Sequence, residues 1–71
     1  MDLRQYLLKD VRVELLNGQV FTGNATDVTD ADEDYDNEAS ITVIPVSGEL
    51  KGRFVAILES EIKSITETNQ F

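Results

Sequence analysis

The sequence predicts a mainly β domain in which one short N-terminal helix precedes a five-stranded, strongly bent antiparallel barrel. Three observations predict it. Apolar and polar residues alternate in several short segments, the period-two pattern of strands with one buried face. Turn signals, Asn17-Gly18 and Ser47-Gly48 foremost, separate those segments. Gly23 and Gly52 fall inside strand patterns, where glycine marks a bend or a close backbone approach. The 71 residues suit a single domain, and a chain of that size buries only about 60% of the surface its unfolded form exposes.

The helix is expected over about 2–9. Asp2 with Gln5 three residues later is an Asp variant of the capping box, and Leu3, Tyr6 and Leu7 then make one apolar stripe. Isolated helices shorter than ~12 residues are marginal in water, so this one must pack on something. The first strand, about 11–16, buries Val11, Val13 and Leu15. Asn17-Gly18 tolerates positive φ and predicts a type I′ hairpin turn. The second strand, about 19–28, places Phe21, Gly23 and Ala25 on one face, and the two successive small residues, Gly23 and Ala25, suit a strongly curved sheet. A third strand, about 40–46, alternates Ile41 and Val43 with polar neighbours and carries Pro45 near its end, since proline removes a ladder donor. The fourth, about 49–58, includes Gly52 as a bulge or bend, and the fifth, about 61–66, follows one tight turn.

Composition removes most catalytic templates. There is no cysteine and no histidine, so disulfides, thiolate or zinc–sulfur sites and the usual neutral-pH base are all lacking. No enzyme and no cofactor are expected. No apolar run approaches the ~20 residues of a membrane span, and the N-terminus lacks a basic-then-apolar signal segment. A cytoplasmic protein without a membrane role is expected. The net charge of −8, from 6 basic and 14 acidic residues, disfavours generic phosphate binding and DNA.

That acidity is local. The loop over 27–38 holds Asp27, Asp30, Asp32, Glu33, Asp34, Asp36 and Glu38, leaving the remainder of the chain nearly neutral. Asp30, Asp32, Asp34 and Asp36 follow the alternate spacing of a calcium-binding EF-hand loop. The sixth position of such a loop demands glycine and is Tyr35; the twelfth demands a bidentate glutamate and is Ile41. The better reading is a solvated, mutually repelling loop between strands two and three.

A helix followed by five bent strands, with Leu15, Asn17, Gly18, Phe21 and Gly23 at the first hairpin, resembles the Sm/LSm family. The opening DLRQYL and the closing ESEIKSI are similar to the small Sm-like proteins of bacteria, and the likeness covers roughly 2–66. The resemblance implies an Sm-like (SH3-type) barrel, often assembled into rings by pairing strand four of one subunit with strand five of the next. It also implies RNA-contact positions, counted here as Thr29 and Glu33 for the first motif and Leu58 and Glu59 for the second. The second motif runs without gaps over Ile57 to Ile65, keeping its apolar Ile57, Ile62 and Ile65. All four contact positions are substituted. Glu33 and Glu59 stand where a phosphodiester would pass, and like charges ~4 Å apart cost about 4 kcal/mol at an effective dielectric of ~20. A family-type uridine pocket is not expected.

Lys51 and Arg53, expected on one face of strand four, and Arg4 and Lys9 beside the helix read as solvated surface cations. Phe21 and Phe54 are expected in the core, leaving Tyr35 and Phe71 as the aromatics free for a partner. The expectation is a non-catalytic module for protein interaction or self-assembly through strands four and five. RNA binding through Lys51 and Arg53 with an aromatic is the alternative.

Overall fold

The computed structural model describes residues 2–31 and 38–68. Five strands form one antiparallel sheet: β1 (Asp10–Leu15), β2 (Val20–Thr29), β3 (Ser40–Pro45), β4 (Val55–Leu58) and β5 (Ile62–Glu67). Their order across the sheet is β4-β3-β2-β1-β5, so β4 and β5 are its two ends. A short 3-10 turn, Glu59–Glu61, links them. Glu59 donates its N–H to the Ala39 carbonyl at 2.9 Å, and Leu16 donates to the Glu61 carbonyl at 2.9 Å. The link therefore reaches from the start of β3 to the end of β1.

The inner face of the sheet is built largely from small and β-branched residues. Val11, Val13, Ala25, Ile41 and Val43 are fully buried, with Leu3, Leu15, Val28, Ile57 and Ile62 completing the core. Gly23 lies opposite Pro45, and a Cβ there would overlap the Ile44 carbonyl and approach the Pro45 Cα to 2.9 Å. Only glycine lets β2 and β3 come this close. Between Ala25 and Asp27 the register shifts by a bulge, which raises the local twist of β2.

Three local expectations are corrected. The helix over 2–9 is a single 3-10 turn, Leu3–Tyr6. Asp2 does cap it, accepting the Arg4 N–H, and Gln5 reaches back to the Asp2 carbonyl at 2.9 Å. Beyond Tyr6 tertiary pairing wins over helix propensity: Leu8 donates to the Ala25 carbonyl at 2.6 Å, and Ala25 donates to the Lys9 carbonyl at 2.9 Å. That detour holds Leu8 at φ +64°, a left-handed conformation that leucine seldom adopts.

The first hairpin is not a type I′ turn. Gly18 has φ +91°, but Asn17 is not in the positive-φ region. The Gly18 N–H bonds to the Leu15 carbonyl and the Leu15 N–H to the Gln19 carbonyl, a three-residue connection of the type closed by a left-handed glycine. The third correction concerns strand four, expected over 49–58 and confined to Val55–Leu58. Gly48 and Gly52, at φ +85° and +78°, turn the preceding segment back on itself, with Gly52 donating to the Pro45 carbonyl at 3.0 Å.

Candidate functional site

The acidic stretch is fixed at both of its ends. On the β2 side, the Arg4 guanidinium grips Asp30 with Nε at 3.0 and 2.9 Å from the two carboxylate oxygens and Nη2 at 2.7 Å. These hydrogen bonds hold the Asp30 carboxyl below its ordinary range and push the Arg4 guanidinium still higher. On the β3 side, the Glu38 carboxylate accepts the Ser60 N–H at 3.0 Å and the Ser60 hydroxyl at 2.9 Å. Two of the seven carboxylates thus tie the stretch to the N-terminal turn and to the β4–β5 link. Asp30, one of the calcium candidates, is occupied by Arg4. Asp32, Asp34 and Asp36 lie outside the described residues, as does Glu33. Among the described residues no cluster of three metal-ligating side chains occurs.

The remaining resemblance positions do come together. Thr29 pairs with Ser40 and Ser40 pairs with Leu58, so Thr29 and Leu58 lie in one row at one end of the sheet. Glu59 follows immediately and opens the β4–β5 link. The row offers a hydroxyl, a hydroxyl and an aliphatic chain, with Glu38 and Glu59 alongside. It supplies no cation for a phosphate, and Arg4 on the neighbouring turn is already engaged by Asp30.

The basic pair sits elsewhere. Lys51 and Arg53 are exposed in the turn between β3 and β4 rather than on a face of strand four. Phe54, expected in the core, is instead 76% exposed beside them, because β4 begins only at Val55 and the turn presents the ring to solvent. Phe21 is half-buried against the core. The surface has a shallow hollow of about 250 Å³ lined by Val20, Phe21, Gly48 and Leu50 among others, and a second of about 190 Å³ where Leu16 meets Ser60 and Glu61. Each is open to solvent and lined by one carboxylate, Glu49 in the first and Glu61 in the second.

The sheet ends differ in character. β5 carries Lys63, which lies 3.5 Å from Glu14, and Glu67, which lies 3.5 Å from Lys9. β4 has no charged residue, and on its outer face Ala56 and Leu58 are exposed with Phe54 just before them. Sequence reasoning missed this apolar edge because it assigned Phe54 to the core. It also missed the Arg4–Asp30 and Glu38–Ser60 ties. Those join residues 26 and 22 positions apart, a separation that no local spacing rule reaches. No family model, no curated protein and no solved structure matches this chain.

Proposed function

We propose that this chain is a non-catalytic, cytoplasmic, Sm-like domain that works by protein interaction or self-assembly through the edges of β4 and β5. One observation carries the reading: β4 is a terminal strand without a charge, with Phe54 and Leu58 exposed at its two ends. An apolar, unpaired strand edge is a template for a further strand, and soluble proteins blunt such edges unless they use them. The strand order, the helix-like N-terminal turn and the Gly23 close approach support the Sm-like assignment. Sedimentation velocity across a hundredfold concentration range tests the proposal. Self-association that Phe54→Ser weakens about tenfold is the expected result, since exposed aromatics are the common anchors of interfaces. A chain that stays monomeric throughout, and gains no partner strand, sinks it.

A second reading is RNA binding, favoured by Phe54 lying exposed next to Arg53 with Lys51 in the same turn. An aromatic that stacks a base beside cations that meet its phosphate is a common single-strand arrangement. Titration with oligo-U and oligo-A, read by anisotropy, decides it. Binding that persists at ~0.15 M salt and vanishes with Lys51→Ala plus Arg53→Ala would replace the first reading.

A further inference from the structure

We propose that Glu61 guards the open edge of β4, holding strand addition in check with an intramolecular carboxylate. The inference rests on the reading of β4 as the docking edge and adds a device that regulates it. Backbone N–H and C=O groups of successive strand residues point to opposite sides. The Glu59 N–H points toward β3, where it bonds to Ala39. The Leu58 amide therefore faces the other way, outward, and Ala56 two residues earlier shares its direction. An added strand meets these outward donors with its carbonyls. In the free chain the Leu58 donor is already taken, because Glu61 Oε1 accepts it at 3.2 Å.

The contact is also a capping arrangement, in which the third residue of the turn reaches back to the residue before it. That explains how the carboxylate is positioned. Its consequence reaches beyond the turn, since a charge seated on a strand edge is a recognised obstacle to edge-to-edge pairing. The bond lies at the surface, so the side chain can leave without opening the core.

The occupant is β5 of a second copy. Laid antiparallel on β4, it brings its Lys63 to the Glu61 end and its Glu67 to the Arg53 end, opposite charges at both. Lys63 then draws the Glu61 carboxylate away from Leu58 as the new carbonyl takes the donor. Removal of the guard and seating of the partner are one exchange.

Sedimentation equilibrium of the whole chain and four variants tests this. Glu61→Ala is expected to tighten self-association roughly three- to tenfold, the worth of one surface hydrogen bond that no longer competes. Glu61→Gln is expected to tighten it less, because the amide oxygen still accepts. Ala56→Pro, alone and combined with Glu61→Ala, is expected to weaken association by deleting an outward donor while leaving the ladder to β3 intact. Melting curves establish that each variant folds, and Glu61→Ser replaces Glu61→Ala if the latter does not. If Glu61→Ala associates like the parent while Ala56→Pro still weakens it, the guard is wrong and the docking edge stands. Equal tightening by Glu61→Ala and Glu61→Gln means that lost charge alone acts, which also overturns the guard. No association by any chain overturns the docking edge itself.

Discussion

The two ends of the sheet solve the same physical problem in opposite ways. β5 lies along β1 and covers its outer side chains with ions: Lys63 faces Glu14, and Glu67 faces Lys9. β4 lies along β3 with no ion on the strand, an exposed phenylalanine before it and an exposed leucine at its end. Charged edges resist unwanted pairing, while apolar edges invite it. A carboxylate from outside the strand, that of Glu61, accepts the Leu58 N–H on β4. Protection of β5 is thus built into the strand itself, whereas protection of β4 is borrowed from a side chain that can move. That is the difference between an edge that admits only a strand of matching charge and one whose guard a partner must displace.

The largest contrast should come from how each edge is anchored. Ile57 on β4 is buried against Ile41, whereas Ile65 on β5 is only half-buried. Ile57→Ala is expected to cost about 3 kcal/mol and Ile65→Ala about 1 kcal/mol, read by urea denaturation. Equal losses would mean that both ends are held alike and that the comparison rests on surface chemistry alone. A second test strips the charges from β5. Lys63→Ala with Glu67→Ala should change stability by less than about 1 kcal/mol, because exposed ion pairs contribute little. The pair should nonetheless lower solubility, seen as a rise in light scattering; unchanged scattering would show that these charges protect nothing.

The smallest effect concerns the Arg4–Asp30 tie. Asp30 has its carboxyl depressed in the folded chain, so the stabilisation is present above its ordinary value of 3.8 and is lost as pH falls through the lower folded value. Both groups are solvent-exposed, so the effect is modest and screened by salt. The melting temperature of the wild type should exceed that of Arg4→Ala near neutral pH in dilute buffer, and the two should converge in strong acid. A gap that survives both acid and high salt would trace to packing of the arginine stem instead.

The acidic stretch contributes to the fold at its two described ends. Its spacing fails the EF-hand pattern at Tyr35 and Ile41, and its described members serve the fold. Asp30 holds the N-terminal turn, and Glu38 holds Ser60 in the link beyond β4. Neither tie has a signature in the neighbouring residues, since both depend on where the sheet brings distant segments.

By itself the sequence determined the five strands and their order along the chain. Alternation at Val11, Val13 and Leu15, and at Ile41 and Val43, specifies which faces are buried, because a period of two admits only one apolar face per strand. Gly18 and Gly23 likewise mark positions that demand positive φ or a vanished Cβ. The tertiary structure decided where elements stop and what their edges expose. The helix pattern ended at Tyr6 because Leu8 pairs with β2, and the fourth strand shrank because two left-handed glycines fold its first half into turns. Such outcomes follow from competition between local propensity and long-range hydrogen bonds, which no window of neighbouring residues contains. So too with Glu61: its spacing from Leu58 suggests a cap, and only the strand order reveals that the capped amide lies on an open edge.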